Sequence, residues 1–571
     1  MVEPVGHAST SQTAMRDILL DMGVKPSHVH IALRRAKQTG EPLAQIMRDF
    51  GFLSGEGVAQ AVSRHTKFSY FPSTQVDDID KKSLENIQLG EFQHYVPVGK
   101  DPDGALILAV PDASVVVQAK NAFHQVRTRV VIASEHTIQT VFRKYFANTE
   151  KAFDDAVSRY SRMQQARMRG DDESAIGVIR DIYFALLRHA CYSGASDLYL
   201  YKSEFVGIVR LKINGVGTIF RTLDTELYDR LLNKLVQDNT KADELRIRPK
   251  ESEVVLTEED KKEYPDLAQR FGFRMELAES RGIRTAVIRI LDEDSSATDL
   301  DKLGFNDFTH RALQKVTKTP TGLFLVTGPT GSGKTTTLYA LMKNIDAVER
   351  SIQSIENPIE YRHGLWNQFE LRKDAQNEGD EYGEWLKALL RNAPDVILAS
   401  EIRDRNVANV CLNAANTGHL VFATLHTNDA VKSIARLKSL EIDMGLLSSV
   451  LLGVLAQRLL RLLCPKCKIS DDSAETHEAL NEPYLTRARN VFRPGAGCEH
   501  CDYTGYRGRR MVYEILETSE ELRTALEKSE PLSTIARIGL PRDRSMWACG
   551  LMLVAEGLTS LEELQRVASK D

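Results

Sequence analysis

Hydrophobic positions divide the chain into segments of different periodicity. Between residues 14 and 65, "AMRDILLDMG" recurs as "PLAQIMRDFG", each followed by a polar turn and an apolar-periodic segment. This pattern predicts two small helical hairpins. Residues 96–147 contain alternating, β-branched runs and predict a small α/β unit. Residues 148–174 are charged and nearly free of aliphatic side chains, which predicts a linker that is helical in part.

The pattern changes again after residue 174. A helical stretch, "AIGVIRDIYFALLRHACYSG", leads into strands separated by turn residues, and an α+β domain is predicted over residues 175–300. From residue 301 to 571, short apolar runs such as "GLFLVTG", "DVILAS" and "HLVFATL" alternate with helical segments. Such a pattern is typical of a mostly parallel sheet with helices on both faces. The run at 445–456, "GLLSSVLLGVLA", is too short to cross a membrane and is predicted to be a buried core helix.

Length and charge narrow the class of protein. A chain of 571 residues exceeds what one core usually supports, so we expect an N-terminal module at 1–147, the linker, the α+β domain and a C-terminal domain at 301–571. The net charge of -5 gives no global basic field, and nucleic acid is not expected as a direct partner. The N-terminal residues lack the pattern of a secretory signal, which predicts a cytoplasmic protein that meets membranes only through partners.

A phosphate-binding loop is the clearest motif. The stretch "GPTGSGKT" satisfies G-x-x-x-x-G-K-[ST], follows an apolar run and precedes a helical segment. In such a loop, glycines let backbone amides approach the phosphates, the lysine reaches the β- and γ-phosphates, and the following hydroxyl ligates Mg²⁺. A glycine-rich turn with a chance lysine is the alternative. The predicted residues for ATP are Gly328, Pro329, Thr330, Gly331, Ser332, Gly333, Lys334, Thr335 and Thr336, with Thr335 also the predicted magnesium ligand.

Acidic and histidine residues follow other strand-like runs. Glu401 follows the run "VILA", where an acid approaches Mg²⁺ directly or through water. Glu356 and Glu360 lie in "SIENPIEY", and either could orient an attacking water. His419 and His426 flank the run in "TGHLVFATLHTND". Taken singly, such glutamates are often solvated and such histidines often structural, so both alternatives stay open.

Four of the seven cysteines have metal-ligand spacing. Two C-x-x-C pairs, Cys464 with Cys467 and Cys498 with Cys501, are separated by 30 residues and predict a tetrahedral zinc site. Four sulfurs leave no open coordination position, so the predicted role is structural. His500 is an alternative ligand, and a disulfide would require an oxidising compartment. The other three, Cys191, Cys411 and Cys549, are predicted to be small core residues.

Taken together, the motifs resemble those of the ATPases of type II secretion and type IV pilus assembly. The family's Walker A, Asp box, Walker B and His box correspond to "GPTGSGKTTT", "IENPIEY", "PDVILASEIRD" and "TGHLVFATLHTNDA", and "AQRLLRLLC" resembles the segment that follows them. The tetracysteine loop and the N-terminal region resemble the assembly and secretion branch. The resemblance implies an α/β fold: a RecA-like P-loop NTPase core, a preceding α+β (PAS-like) domain, an N-terminal helical and α+β module, and a tetracysteine zinc subdomain.

The resemblance also implies roles for single residues. Glu360 matches the Asp-box glutamate that polarises the attacking water, with Glu356 supporting it. Glu401 matches the Walker-B acid at Mg²⁺. His426 and His419 match the His box that senses the state of the nucleotide.

Two arginines upstream of the core resemble the family's paired-arginine segment. They are Arg274 and Arg289, in "FRMELAESRGIRTAVIRIL". Guanidinium groups delivered from a separate domain would neutralise γ-phosphate charge only when the domains close, which would couple hydrolysis to motion. Exposed strand residues without a catalytic role are the alternative.

The sequence departs from the family pattern at three places. Asn357 stands where the family usually has aspartate, Ala399-Ser400 replaces a residue followed by glycine, and Ile283-Arg284 replaces a glycine and a glutamate. None of the three removes a group that the chemistry requires. Each leaves the rate of hydrolysis an open question.

The resemblance implies partners as well. It implies a homohexameric ring that is recruited peripherally to the inner membrane, where the N-terminal module docks onto a platform protein and the motor drives pilin or pseudopilin assembly. Some members bind cyclic di-GMP through a leucine-glycine motif, but this chain has Met15-Arg16 and Leu43-Ala44 there, which argues against that ligand. A conjugative or DNA-uptake pilus motor and a regulatory ATP-binding scaffold with little hydrolysis are the alternatives.

Overall fold

A computed structural model describes most of the chain, in two compact units that are treated separately, residues 1–295 and 296–571. Within these units the described residues are 6–85, 87, 89, 92, 94–167, 175–239, 250–254, 256–268, 270–280, 283–292, 299–357, 359–371, 378–485, 490–501 and 503–570. No helix within these ranges is both long and apolar enough to span a bilayer.

The first unit begins with four helices followed by a small α/β part, as the two hairpins and the alternating runs predict. Leu19, Val29 and Ile46 are buried between the helices. The small sheet has the order β1-β4-β3-β2, with β2 antiparallel to β3 and the other pairs parallel. The elements are α1 (Gly6–Asp21), α2 (Pro26–Thr39), α3 (Leu43–Asp49), α4 (Gly55–Thr66), β1 (Ser69–Tyr70), β2 (Val96–Lys100), β3 (Leu106–Val110), α5 (Val116–Ala122), β4 (Thr128–Ile132) and α6 (Glu135–Tyr145).

The segment predicted as a linker contains a long, packed helix, α7 (Thr149–Arg167). Phe153, Tyr160 and Met163 of this helix are buried in the same cluster as residues of α8 (Ala175–Tyr192). Aromatic and methionine side chains at helical spacing supply the apolar stripe that the missing aliphatic residues would otherwise give. The segment therefore contains the helix that the prediction allows, but this helix packs as part of the first unit.

The α+β part of the first unit is an antiparallel sheet of order β7-β6-β5-β10-β9-β8. One face buries alternating apolar side chains such as Met275 on β9 and Ile288 on β10. Residues of opposite parity, including Arg274 and Arg289, lie on the other face. The elements are β5 (Ala195–Lys202), β6 (Gly207–Ile213), β7 (Val216–Leu223), α9 (Thr225–Asn239), β8 (Lys250–Glu253), α10 (Glu258–Glu263), α11 (Pro265–Ala268), β9 (Phe271–Ser280) and β10 (Ile283–Asp292).

The second unit is built on a sheet of order β13-β12-β14-β15-β11-β16-β19, which confirms the predicted α/β core. All neighbouring pairs are parallel except β16 with β19. Every residue of β11 and β15 is buried, as expected for central strands covered by helices on both faces.

The elements in the first half of the second unit are α12 (Asp307–Lys318), β11 (Gly322–Thr327), α13 (Lys334–Lys343), β12 (Ile352–Glu356), β13 (Asn367–Glu370), α14 (Glu378–Leu389), β14 (Val396–Ala399), α15 (Arg405–Asn416), β15 (Leu420–Leu425) and α16 (Ala430–Ser439). The second half continues with α17 (Met444–Val450), β16 (Leu451–Leu463), β17 (Ile469–Ser470), α18 (Ala474–Ala479), β18 (Phe492–Arg493), β19 (Tyr506–Glu517), α19 (Glu520–Glu527), α20 (Leu532–Gly539), α21 (Met546–Ala555) and α22 (Leu561–Val567).

The prediction of a buried core helix at 445–456 is wrong for its second half. Helix α17 ends at Val450, and Leu451 begins the long strand β16. This strand lies between β11 and β19 in the sheet, and most of its first half is buried. A fully apolar run carries no periodicity, so a buried strand and a buried helix look alike in sequence.

Candidate functional site

The predicted site residues of the second unit lie mainly along one edge of its sheet, the edge formed by the carboxyl ends of its parallel strands. Strands β12, β14, β15 and β11 are parallel neighbours, and their carboxyl ends meet at the same edge. Glu356 ends β12, Glu401 follows β14, His426 follows β15, and the phosphate-binding loop follows β11. Ligands of open parallel sheets bind at this edge.

The phosphate-binding loop runs from Gly328 to Gly333 and leads into α13, whose first three residues are Lys334, Thr335 and Thr336. Gly328 has φ 147°, and a Cβ there would lie 2.3 Å from the carbonyl oxygen of Gln457, so only glycine fits. Lys334 Nζ donates to the carbonyl oxygens of Gly328 (2.8 Å) and Pro329 (3.2 Å). The ammonium group therefore lies folded over the loop where phosphates would bind.

Charge around Lys334 links the loop to two glutamates. Burial lowers the pKa of Lys334, while the carboxylates of Glu401 and Glu360 act in the opposite direction. Thr335 Oγ1 donates to Glu360 Oε1 across 3.1 Å. One cation, one hydroxyl and two carboxylates thus converge beside the loop.

Glu356 is buried beneath this cluster. Its carboxylate accepts hydrogen bonds from Ser354 Oγ (2.6 Å), Tyr339 OH (2.7 Å) and Gln368 Nε2 (3.2 Å). Burial raises the pKa of Glu356, and these donors together with the backbone amide of Glu360 oppose that rise. The contacts place Glu356 under the loop that carries Glu360.

Sequence reasoning missed Tyr339 and Gln368. Tyr339 lies on α13, four residues after Thr335, and its hydroxyl contacts both Glu356 and the carbonyl oxygen of Tyr361 (3.1 Å). Gln368 Nε2 donates to the same carbonyl oxygen (2.7 Å). These two side chains connect the helix of the phosphate-binding loop to the loop of Glu360. No pattern in the sequence points to them.

Gln457 is another residue whose role the sequence did not reveal. It lies on β16, and its Nε2 donates to the carbonyl oxygen of Ser332 across 2.9 Å. The side chain is fully buried and supports the phosphate-binding loop from the neighbouring strand. The "AQRLLRLLC" stretch contains this glutamine, and the resemblance of that stretch was the available signal.

Glu401 lies among basic groups. Arg403 Nε is 2.8 Å from one carboxylate oxygen, and His426 Nε2 is 3.5 Å from the other. Burial lowers the pKa of His426, Lys334 adds to this effect, and Glu401 opposes it. His426 is therefore well placed to respond to charge in the site.

The structure does not bring His419 to this edge. His419 precedes β15, at the end of the strand opposite His426, and six residues of strand separate the two by ~20 Å. Its Nδ1 is 2.8 Å from the carbonyl oxygen of Ala414, near the end of α15. The surroundings of His419 fit a structural role at a helix terminus.

The two predicted arginines are direct cross-strand partners in the first unit. Arg274 on β9 pairs in register with Arg289 on β10. Arg289 Nε also lies 3.2 Å from Oδ1 of Asp197, a buried residue on β5. The two arginines are therefore cross-strand neighbours on the face of the sheet that does not contribute to the core.

The four predicted cysteines form one cluster at the end of the β16–β19 strand pair. All four sulfurs lie within 4.8 Å of one another, with separations of 3.8 Å between Cys464 and Cys498 and 3.7 Å between Cys467 and Cys501. A tetrahedral zinc site with Zn–S bonds of ~2.3 Å has sulfur–sulfur edges of about 3.8 Å, so the geometry fits zinc. Backbone amides of Cys498 and Gly505 also donate to Cys501 Sγ at 3.3 Å.

His500 does not belong to this cluster in the described part of the chain. Its Nδ1 lies 3.1 Å from Arg507 Nη1. The alternative in which His500 replaces a cysteine ligand is therefore not supported by the geometry.

Comparisons with known proteins agree with the motifs. A family model described as "Type II/IV secretion system protein" matches residues 171–566. The type II secretion system protein E of Dickeya dadantii (strain 3937) is 35% identical over 406 residues, covering 70% of this chain and 78% of that protein. The type IV pilus assembly ATPase PilB of Thermus thermophilus is 30% identical over 550 residues, covering 93% of this chain and 59% of that protein. Among solved structures, the pilus retraction motor PilT with bound ADP is 25% identical, covers 67% of this chain and 96% of that chain, and has a TM-score of 0.43.

Proposed function

This chain belongs to the Type II/IV secretion system protein family and is an ATPase of the secretion and pilus assembly class. We propose that it hydrolyses magnesium-bound ATP to drive assembly of pilin or pseudopilin subunits. The observation that carries the proposal is the convergence of Lys334, Thr335, Glu360 and Glu401 beside the phosphate-binding loop. The relatives' names favour a motor over a regulatory scaffold.

The residues at the loop divide the chemistry among them. Backbone amides of the loop and the start of α13 would bind the phosphates, and Lys334 would neutralise charge on the β- and γ-phosphates. Glu360 would accept a proton from the attacking water. Glu356, held by its hydrogen bonds, would keep the Glu360 loop in place.

Oxygen donors suited to magnesium are present. Thr335 contributes a hydroxyl and Glu401 a carboxylate, and hard oxygen ligands are those that Mg²⁺ prefers. When bound with ATP, the ion would neutralise charge on the β- and γ-phosphates. His426, beside Glu401, is the proposed sensor of this charge.

We further propose that Arg274 and Arg289 supply positive charge to the γ-phosphate of ATP in an oligomeric ring. Their cross-strand pairing on the sheet face away from the core supports this role. The proposal includes a docking module at 1–147 that binds an inner-membrane platform protein, which would recruit the cytoplasmic motor to the membrane. The arginine-bearing domain would extend over 175–300 and the ATPase domain over 301–571.

A structural zinc ion held by Cys464, Cys467, Cys498 and Cys501 completes the proposal. The sulfur separations and the four-thiolate donor set support it. The ion would fasten the loop between the two C-x-x-C pairs to the end of the β16–β19 pair and would take no part in hydrolysis.

Steady-state ATP hydrolysis on size-fractionated protein tests the proposal. Turnover that depends on Mg²⁺ and is concentrated in a ring-sized fraction is the expected result. Tight ATP binding without turnover in any fraction, even with the membrane partner added, would overturn it in favour of a regulatory scaffold.

A further inference from the structure

Tyr382, a residue outside the motifs, contacts the backbone at the Walker-B turn. It lies on α14, and its ring packs against the core cluster that contains Ala399 and Ile402. Its hydroxyl oxygen accepts the backbone N–H of Ser400 at 2.8 Å. The phenol therefore holds the amide that immediately precedes Glu401.

The amide of Ser400 lies just beyond the last residue of β14, where regular strand pairing ends. Strand β14 ends at Ala399, and the amide of Ser400 makes only a longer bond, 3.3 Å, to the carbonyl oxygen of Ile355 on β12. On the other side, the hydroxyl of Thr424 on β15 donates to the carbonyl oxygen of Ser400. The turn is therefore pinned between α14 and β15.

Ser400 adds a side-chain contact to this arrangement. Its Oγ lies 3.4 Å from the Tyr382 hydroxyl oxygen, so the residue that departs from the family pattern faces the same phenol. Burial raises the pKa of Tyr382, which keeps the phenol protonated and neutral. A neutral hydroxyl holds the turn without adding negative charge beside Glu401.

The backbone held by Tyr382 carries the carboxylate that lies near Lys334, Arg403 and His426. We propose that the Tyr382 hydroxyl is a positioning group for Glu401, which fixes the Walker-B carboxylate at the distance that magnesium-bound ATP requires. This inference rests on the proposed function, in which Glu401 approaches Mg²⁺. Tyr382 itself does not touch nucleotide or metal in this role.

The test uses full-length Tyr382→Phe, which keeps the ring and removes only the hydroxyl. In nucleotide-free protein, amide hydrogen exchange at Ser400 should become about 5- to 10-fold faster, while exchange within β14 stays unchanged. The Mg²⁺ concentration for half-maximal ATP turnover should rise about 3-fold or more, with ATP affinity in the absence of metal within about 2-fold of the wild type. Unchanged exchange at this amide would overturn the inference.

A matched control removes a tyrosine hydroxyl elsewhere. Tyr145 OH donates to the carbonyl oxygen of Val76 at 2.8 Å in the first unit, so Tyr145→Phe loses a comparable bond. This variant should show wild-type Mg²⁺ dependence and wild-type exchange at Ser400. A shift in Mg²⁺ dependence as large as that of Tyr382→Phe would overturn the inference, because a general loss of stability would then explain both.

A double-mutant cycle separates positioning from any general effect on the fold. If Tyr382 acts through the carboxylate of Glu401, then Tyr382→Phe should change Mg²⁺ dependence by less than about 1.5-fold in a Glu401→Gln background. Additive effects would contradict the inference. Absence of turnover in the wild type at every Mg²⁺ concentration would instead contradict the proposed function, and the amide exchange would still decide the contact with Tyr382.

Discussion

The hydroxyl of Thr335 donates a hydrogen bond to a carboxylate oxygen of Glu360 across 3.1 Å. The first residue is in the opening turn of the helix that follows the phosphate-binding loop, and the second lies in the loop after β12. The proposed magnesium ligand and the proposed base are therefore in direct contact. Substitutions at Glu360 act on this contact without removing the backbone amides and the lysine that would bind phosphate.

We expect Glu360→Gln to lower ATP turnover by ~10²-fold or more while ATP affinity stays within a few-fold of the wild type, because the amide keeps the shape but cannot accept a proton. Phosphate release and equilibrium binding of ATP on the same preparation would measure the two quantities. Glu527→Gln, an exposed change on α19, should leave both unchanged. Unchanged turnover of Glu360→Gln would assign the base to another residue.

Arg274→Ala and Arg289→Ala should each lower kcat by about 10-fold or more and change ATP affinity less, because the proposed charge acts mainly in the transition state. Arg284→Ala is the matched control. Arg284 lies on the same strand as Arg289, but its parity places it on the opposite face, where it pairs with Glu279 at 3.0 Å. If the arginine variants instead lose affinity and keep kcat, Arg274 and Arg289 are simple binding residues.

Metal analysis of the purified chain should give about one zinc per chain. Cys467→Ser should lower this content and the melting temperature together, because a structural zinc site stabilises the fold that forms it. Cys549→Ser, which removes a thiol outside the cluster, should leave the zinc content unchanged. Purified wild-type protein that contains no zinc would contradict the assignment.

Acid should weaken the packing of α22 on β16 through Glu563. Burial alone would raise the pKa of Glu563, but hydrogen bonds from Arg566 and Arg461 outweigh it and lower the pKa from 4.5 to about 2. Because the folded-state pKa lies below the unfolded value, this stabilisation is fully present above about pH 4.5 and is lost as the pH falls toward 2. Its size is ~2 kcal/mol after allowing for the exposure of Arg566.

Glu563→Gln should therefore lower the free energy of unfolding at pH 7 and have little effect near pH 2. Denaturant titrations at several pH values, compared with the exposed neighbour variant Glu562→Gln, would measure the difference. If wild type and Glu563→Gln differ in free energy of unfolding by the same amount at pH 7 and pH 2.5, the proposed role of this carboxylate is refuted.

The motif positions at the sheet edge could be predicted because they depend on local order along the chain. A phosphate-binding loop follows a strand by its own geometry, and the end of a buried strand is where an acid such as Glu401 approaches the metal. The position of His426 near the nucleotide is implied by the resemblance to the family. The side chains that support the site could not be predicted in this way. Gln457 reaches Ser332 over 125 residues of sequence, and only the sheet order brings them together.

Secondary structure was hardest to predict where composition hides periodicity. Strand β16 begins within an apolar run that fits a helix equally well, and α7 packs through aromatic and methionine side chains in a segment whose charge predicts a linker. Register is the other property that residue order does not reveal. Arg274 and Arg289 are 15 positions apart in the sequence, and their direct pairing follows from the hairpin between them.

The strand pair β16–β19 determines where the chain can tolerate insertions and deletions. Gln457, on β16, reaches the phosphate-binding loop only in the observed register, since a slip of one residue would turn its side chain to the other face of the sheet. Cys464 follows β16 directly and Cys501 lies five residues before β19. The cysteine cluster therefore connects the end of β16 to the start of β19. We therefore expect insertions or deletions between the two C-x-x-C pairs to leave Gln457 aligned with the phosphate-binding loop.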